Sequence, residues 1–362
     1  MISKFYLPII KSKQGEFDAL SILNPDVKGL VMPLVEVAKM EFDNAENAKP
    51  KTIEKHLENI CKRISTKWGR SNAFIDTYLV NDTLPDGKNC IEYMYERFAQ
   101  QGAGIPSLVI QFLTPDNILA ACNEAMKKYN LPEAAIRLTV ADMVSLDLLE
   151  ELKILLQKIV KDSKNCHLVL DLNGADFSNT SDFSDTLVDL FRDFPFFQEW
   201  KSVTVCGGSF PKTNLLKQGV NEIPRGEWAL YNQLVEKLKN KDFERQINYG
   251  DYGIVAPGHF EYDPLKMDRS ANIRYTHNNS WYVVKGKSLK LEGHAQYFDL
   301  AKNIVTESGY FFGENFSAGD LHLKKCSDGQ TTSGNPTVWN KIGFNHHFTK
   351  VLKDLNASYF AA

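Results

Sequence analysis

Charged side chains lie at or near the ends of the apolar runs that recur through the first two thirds of the chain. They are Lys11, Glu36, Asp76, Arg137, Asp171 and Asp251. If these run ends meet in space, the carboxylates form an oxygen-rich site that suits a divalent cation, and the basic groups suit a phosphate. The alternative is structural, because charges buried at such positions are normally held in ion pairs with one another. The sequence leaves both interpretations open.

A second candidate is the stretch Gly207-Gly208-Ser209, which ends the seventh apolar run. Glycine lets backbone N–H groups approach an anion closely, so a phosphate-binding loop that includes Ser209 is one prediction. The other is a tight turn into the following Phe-Pro pair. The sequence contains none of the common nucleophile, zinc, P-loop or dinucleotide motifs, so no reaction class follows from motifs. No cofactor is evident beyond a divalent cation at the carboxylates.

Eight apolar runs alternate with helical patterns, and this alternation would position the charged residues. The runs are 5–10, 30–37, 73–79, 108–113, 135–140, 166–172, 203–206 and 247–255. Strands that alternate with helices predict βαβ units, and nearly continuous apolar runs predict parallel strands buried on both faces. Eight units over about 250 residues predict a closed (β/α)8, TIM-like barrel, with working residues at the carboxyl ends of its strands.

Two prolines count against this prediction, because Pro8 and Pro33 fall inside strand runs and cannot donate to a strand ladder. A local bulge would accommodate each. The same runs could also form an open doubly wound sheet. Helices are predicted at 52–68, 116–129, 146–159 and 228–238, with Ser145 as an N-cap of the third.

The composition changes after Pro257, so residues 1–256 are predicted to form the barrel and 257–362 an α+β appendage. Runs 273–276 and 281–285 flank an Asn-rich turn and predict a β-hairpin. Helices are predicted at 294–307 and at the C-terminus, with Asn345 as a candidate cap.

The appendage is rich in aromatic residues, which need a surface to cover them, so we expect it to dock over the barrel mouth. Arg274, His346 and His347 are then candidate lid residues. Adjacent histidines point in different directions on either a strand or a helix, so this pair predicts hydrogen bonding rather than a metal site.

Charge and cysteine content restrict the class of protein. The formal net charge of −3 gives no overall attraction to nucleic acid or to an anionic membrane. Six widely spaced cysteines without metal-ligand spacing predict reduced, buried thiols and a cytoplasmic protein. The apolar stretch near the N-terminus is too short for a signal peptide, and no run approaches the roughly 18 apolar residues of a membrane span.

Several separated segments resemble the beta protein family of phages and bacterial mobile elements. They are the opening Tyr6-Leu7-Pro8-Ile9-Ile10-Lys11 with Gly15-Glu16-Phe17-Asp18-Ala19-Leu20, then Pro33-Leu34-Val35-Glu36-Val37, Tyr249-Gly250-Asp251-Tyr252, Ile273-Arg274-Tyr275, Gln296-Tyr297 and Asn345-His346-His347. The similarity extends over nearly the whole chain. It implies a component of a phage-defence or toxin-neutralising locus that accompanies a toxic partner, and it brings no catalytic residues with it.

Two classes of function follow. In the first, the protein binds and restrains a toxic protein encoded nearby, or senses infection. In the second, the barrel is an enzyme that acts on a phosphorylated or nucleic-acid-derived substrate at its C-terminal mouth. A barrel fold is compatible with both.

Overall fold

The computed structural model describes residues 4–40, 52–80, 83–240, 243, 245–258 and 268–360. Its strands are β1 (Leu7–Lys11), β2 (Leu34–Glu36), β3 (Phe74–Asp76), β4 (Ser107–Gln111), β5 (Ala134–Thr139), β6 (Cys166–Asp171), β7 (Ser202–Gly207), β8 (Gly219–Pro224), β9 (Asn248–Asp251), β10 (Ser270–Thr276) and β11 (Ser280–Ser288). Its helices are α1 (Gln14–Ser21), α2 (Pro25–Lys28), α3 (Ile53–Arg63), α4 (Cys90–Gln101), α5 (Asp116–Lys128), α6 (Val140–Met143), α7 (Leu148–Lys158), α8 (Thr180–Asp193), α9 (Gly226–Asn240), α10 (Leu289–Glu292), α11 (Tyr297–Lys302), α12 (Ala318–Ser327) and α13 (Pro336–Phe360).

Eight strands close into a parallel barrel in the order β1-β2-β3-β4-β5-β6-β7-β9. The ring closes where β9 pairs with both β1 and β7. Each of the eight apolar runs overlaps one of these strands, so the (β/α)8 prediction is confirmed and the open-sheet alternative is wrong. Pro33 immediately precedes β2, where it interrupts no ladder, and Pro8 is accommodated within β1.

One apolar layer lies on each side of the barrel wall. Inside it is a compact core of Phe5, Leu7, Ile9, Met32, Leu34, Phe74, Val109, Ala135, Val169, Cys206 and Tyr252. Outside it a much larger core packs the strands against the surrounding helices. Successive residues of a strand point to opposite faces, so these two sets fix which strand positions face inward.

The C-terminal region is built on a three-stranded antiparallel sheet of order β10-β11-β8. The hairpin predicted around residues 277–280 is confirmed as β10 and β11. Its third strand, β8, comes from the stretch between β7 and β9, so the domain boundary predicted at residue 256 divides this sheet.

Helix α13 joins the appendage to the barrel, because it packs against α1 as well as against β10 and α12. The helix begins at Pro336, so Asn345 is not its cap and that prediction is wrong. The Asn345 side chain instead accepts a hydrogen bond from Gly319 N at 2.9 Å and donates one to Ala19 O at 3.3 Å. Helix α13 thus packs the appendage against the outer helix α1 of the barrel.

The start of α7 also differs from its prediction. Asp147, not Ser145, directly precedes the helix. Ser145 accepts a hydrogen bond from Asp147 N at 3.4 Å and donates one to Glu151 at 2.9 Å, which organises the turn before the helix.

All six cysteines belong to the described residues, where they are buried and form no disulfide. Nowhere in the described parts of the chain is a helix long and apolar enough to cross a membrane.

Candidate functional site

Arg137 lies at the centre of the carboxyl end of the barrel and is held by three carboxylates. Its Nη2 lies 2.9 Å from Glu36 Oε1, its Nη1 2.7 Å from Asp76 Oδ2, and its Nη2 2.6 Å from Asp171 Oδ2. The guanidinium also donates to the Tyr252 hydroxyl at 2.9 Å. We call Glu36, Asp76, Arg137, Asp171 and Tyr252 the mouth cluster. It brings together four of the charged residues predicted from the sequence.

The strand register explains why these side chains meet. Glu36 of β2 is in register with Asp76 of β3, and both lie two residues beyond inward-facing core positions. Arg137 likewise lies two residues beyond the inward-facing Ala135. Because side chains alternate between faces with a period of two, these ends all project into the mouth.

Burial and charge oppose each other in this cluster. Burial disfavours the charged guanidinium, but attraction to Asp171 and Asp76 outweighs it and raises the pKa of Arg137 well above its ordinary value. Burial also raises the pKa of Glu36 and of the Tyr252 hydroxyl. Arg137 thus stays charged, and its donors are taken by the protein's own acceptors.

Lys11 and Glu16 form a second polar group beside the cluster. Lys11 ends β1 in register with Glu36, and its Nζ donates to the backbone oxygen of Gly258. The buried Glu16 carboxylate, in the first turn of α1, accepts the backbone N–H of Lys11. Burial lowers the pKa of Lys11 and raises the pKa of Glu16 to about 8. An amine and two carboxyl groups with shifted pKa values therefore border one another.

The structure does not place Asp251 with the mouth cluster. Asp251 is in register with Pro8 of β1 and with Gly207 of β7. Gly207 follows the inward-facing Cys206 directly, so Asp251 points to the outer face of the barrel wall. There it accepts the Tyr6 hydroxyl at 2.6 Å and Gly253 N at 2.9 Å. Its other oxygen lies 2.9 Å from Nε2 of His347.

Both adjacent histidines are buried, and each connects α13 to neighbouring elements through hydrogen bonds. Burial lowers the pKa of His347, and a neutral ring protonated on Nε2 donates to Asp251 while Nδ1 accepts the Thr276 hydroxyl at 2.8 Å. His346 lies 2.8 Å from both Asp320 Oδ2 and Thr276 O. The contact of His347 with Asp251 holds the appendage against the barrel's outer layer, and the others organise the appendage itself.

Arg274 also forms hydrogen bonds where the appendage meets the barrel. It donates to Ile254 O and to the Thr213 hydroxyl, each at 3.0 Å, and lies over the Phe210 ring. Arg274 therefore contacts the loops of the barrel and His347 its outer wall, whereas His346 hydrogen-bonds within the appendage. None of their hydrogen bonds among the described residues reaches the mouth cluster.

The glycine-rich stretch is a packed turn whose polar groups are used internally. Ser209 donates to Glu227 Oε2 through both its hydroxyl, at 2.5 Å, and its N–H, at 3.2 Å. Gly208 N donates to Asn173 O at 2.9 Å. A Cβ at Gly208 would come within 2.8 Å of Pro257, so close packing explains this glycine. The stretch offers its N–H groups to the protein rather than to a phosphate.

The described residues contain no group of three or more His, Cys, Asp or Glu side chains placed to hold a metal ion. At the mouth the guanidinium of Arg137 lies between the carboxylates and forms ion pairs with all three.

Three polar residues of the mouth, Glu16, Gln111 and Tyr252, were not among the candidate site residues predicted from the sequence. Tyr252 donates to Asp171 at 2.7 Å, and Gln111 donates to Asp76 at 3.1 Å. Glu16 had no signal, because an acidic residue in the first turn of a helix is ordinarily a solvated one. Gln111 and Tyr252 had a signal: each ends or follows an apolar run as the charged candidates do.

Exposed apolar side chains lie on three consecutive loops at the mouth. They are Tyr78 after β3, Leu113 after β4, and Val140, Val144 and Leu146 after β5. Because β3, β4 and β5 are neighbours in the barrel, their carboxyl ends lie along one side of its mouth. We call these five residues the apolar rim. Leu113 is 79% exposed and Leu146 fully exposed, which is unusual for leucine and typical of contact surfaces when several such residues are grouped.

Fold and site together define a TIM-type (β/α)8 barrel with a polar cluster at the C-terminal mouth and an α+β appendage on its flank. Residues 6–353 match the Beta protein family, and the chain belongs to this family. No curated protein matches the sequence.

Several solved barrels resemble the structure distantly. Triosephosphate isomerase from Bartonella henselae is 11% identical, with 68% of this chain and 91% of that chain covered and a TM-score of 0.34. A homocysteine methyltransferase from Escherichia coli is 10% identical over 69% and 90%, with a TM-score of 0.35. KGPDC from Streptococcus mutans is 11% identical over 68% and 88%, with a TM-score of 0.31. Likeness at this level says nothing about activity.

Proposed function

We propose that the protein binds a toxic protein encoded nearby and restrains it, as part of a phage-defence or toxin-control locus. The apolar rim is the observation that carries this proposal. Exposed leucine, valine and tyrosine side chains on adjacent loops suit the centre of a protein interface, where apolar and aromatic groups are enriched. The buried thiols support a cytoplasmic site of action.

The contacts of the mouth cluster support partner binding over tight anion binding. Every nitrogen of the Arg137 guanidinium donates to a carboxylate or a hydroxyl of the protein itself. A phosphate that entered the mouth would have to displace one of these carboxylates. We therefore interpret the cluster primarily as an ion-pair network that stiffens the face on which the apolar rim lies.

The appendage is a less suitable contact surface than its composition suggested. Trp281, Tyr282, Tyr297 and Trp339 are all buried in the core of the molecule. These aromatic side chains serve folding, so we place the partner on the rim of the barrel mouth.

The proposal is tested by binding. The purified product of the neighbouring gene is titrated with the wild-type protein and with a Leu113→Asp/Leu146→Asp double variant. Introducing two charges into the rim should weaken binding by about 2 kcal/mol or more, since apolar anchors dominate interface energies. Leu291→Asp is the matched control, because Leu291 is 84% exposed but belongs to the appendage. Equal binding by the rim variant and the control would contradict the proposal.

A second candidate is an enzyme that acts on a phosphorylated or nucleic-acid-derived substrate at the same mouth. The observation that favours it is the contact of Glu16 with Lys11. Burial raises the pKa of Glu16 to about 8, which suits proton transfer near neutral pH, and burial lowers the pKa of Lys11. The carboxylates of Glu36, Asp76 and Asp171 outnumber the guanidinium they surround, which favours a neutral substrate over a phosphorylated one. A divalent cation could offset that excess, and it remains part of this second proposal.

A further inference from the structure

We propose that the Lys11 amine condenses with the carbonyl group of a small neutral hydroxyaldehyde or hydroxyketone to form an imine at the barrel mouth. This inference rests on the second of the two functions proposed above, a chemically active mouth, and is independent of partner binding at the rim.

The position of Lys11 carries the inference. Lys11 follows the inward-facing Leu7 and Ile9 at intervals of two, so its side chain projects from the inner wall of the barrel. Its Nζ donates to the backbone oxygen of Gly258 in the loop after β9. The amine is thus held at the edge of the mouth, half-buried rather than extended into solvent.

The groups around Lys11 suit condensation. Glu36 is the neighbour in register on β2, and Glu16 is held against the Lys11 backbone. Burial lowers the pKa of Lys11, which raises the neutral fraction of its amine above that of an ordinary lysine, and it keeps Glu16 protonated at neutral pH because the pKa of Glu16 is about 8. A neutral amine is the nucleophile that a carbonyl requires, and a nearby carboxylic acid is the proton donor that the departing oxygen requires.

The step balances without a further reactant. The Nζ lone pair forms the bond to the carbonyl carbon, and a proton passes from nitrogen to oxygen to give a carbinolamine. A carboxylic acid, Glu16 or Glu36, then protonates the hydroxyl, which leaves as water while the C=N bond forms. Loss of the remaining N–H proton to the carboxylate restores the acid.

The charge of the mouth selects the carbonyl compound. Glu36, Asp76 and Asp171 surround the Arg137 guanidinium, and each of its nitrogens already donates to one of them. An anionic aldehyde is repelled by this group of carboxylates, whose charge Arg137 compensates only in part. The hydroxyl of a neutral aldehyde can hydrogen-bond to Glu36, the most exposed of the three carboxylates.

Reductive trapping tests the inference on the intact protein. Glycolaldehyde is added at limiting concentration with cyanoborohydride between pH 6 and pH 11, a range that includes the ordinary lysine pKa of about 10.4. The modified lysines are identified by peptide mass spectrometry. We expect Lys11 to be modified faster than Lys153, a half-exposed lysine on α7, and to reach its half-maximal rate at a lower pH. Glyoxylate, the anionic counterpart, should modify Lys11 more slowly relative to Lys153.

Two variants complete the test. Lys11→Arg should abolish the fast adduct and Lys153→Arg should retain it. Modification of Lys11 no faster than Lys153, or with the same pH midpoint, would overturn the inference even if no variant folded, since both lysines are compared in one molecule. That result would not touch the enzyme proposal as such, because Lys11 could still act there as a cationic group.

Discussion

Arg137 shows how the barrel resolves the cost of burying charge at its mouth. One guanidinium satisfies three carboxylates that would otherwise repel one another in a poorly solvated site. Removing one partner of such a group leaves the others incompletely compensated, which is more damaging than losing an exposed pair. The residue-scale predictions follow from this difference.

Asp171→Asn should lower the free energy of unfolding by about 3 kcal/mol, because it removes the negative charge that compensates Arg137 and leaves one acceptor oxygen where the carboxylate has two. Asp189→Asn is the matched control. Its partner Arg192 lies 3.2 Å away with both side chains more than half exposed, so the expected change is under about 1 kcal/mol. Urea unfolding of both variants measures the difference. A similar small loss in each would show that the mouth cluster adds little stability.

Glu16 gives stability a pH dependence of definite sign. Its pKa is about 8 in the folded protein against an ordinary value of 4.5, so between these pH values the folded state holds a proton that the unfolded state has lost. Stability should therefore fall as pH rises through this window, by up to about 1.4 kcal/mol per pH unit from this group.

Glu16→Gln removes that term while keeping an acceptor for the Lys11 N–H. The Tm of the variant relative to wild type should rise steadily from pH 5 to pH 8. Glu150→Gln, at an exposed position on α7, should leave the wild-type pH dependence unchanged. A constant Tm difference for Glu16→Gln across the range would show that Glu16 ionises normally.

At this scale the sequence predicted which residues are polar at the strand ends but not which face each takes. Glu36, Asp76, Arg137 and Asp171 share the inner face, whereas Asp251 is one position out of phase with them. Parallel barrel strands are apolar on both faces, so they lack the alternation that would have revealed the phase.

At the scale of elements, α13 and β8 tie the appendage to the barrel. Helix α13 carries His347 to the outer wall, and β8 leaves the barrel between two of its strands to complete the appendage sheet. The eight barrel strands were predictable because each is a distinct apolar run. Strand β8 was not, because Gly219, Asn221 and Pro224 make it read as a loop and its stability comes from pairing with β11.

The Asp251 and His347 side chains should be energetically coupled, because they are buried and in direct contact. Asp251→Asn and His347→Phe are each expected to destabilise the protein, and the double variant should lose less than the sum of the two. A coupling of about 1–3 kcal/mol is expected for a buried pair in direct contact. Additive losses in a double-mutant cycle would show that the two side chains do not cooperate in docking α13.

A chain that ends at Pro257 should not fold as an independent barrel. It leaves β8 without β11 and exposes the surface of α1 that α13 covers. Thermal unfolding followed by circular dichroism should show no cooperative transition. A chain ending at Asn356, which keeps almost all of α13, should melt like wild type, and cooperative melting of the shorter chain would contradict this account.

At the scale of the whole molecule, the barrel presents an ion-paired polar mouth with an apolar rim on one side, while the appendage lies against its flank. The chain that carries these features belongs to the Beta protein family. The family resemblance was readable from short separated motifs, but the rim was not. Leu113 and Leu146 look like core residues in sequence, and only the fold shows that their loops leave them in solvent.

The most direct test of the central claim, that the rim binds and restrains a toxic partner, is growth of cells that express the neighbouring toxic protein together with this one. Wild type, Leu291→Asp and Lys11→Arg should each restore growth, whereas Leu113→Asp/Leu146→Asp should fail while keeping the wild-type Tm. Full rescue by the rim double variant would contradict the claim, and rescue lost only with Lys11→Arg would assign the activity to the mouth instead.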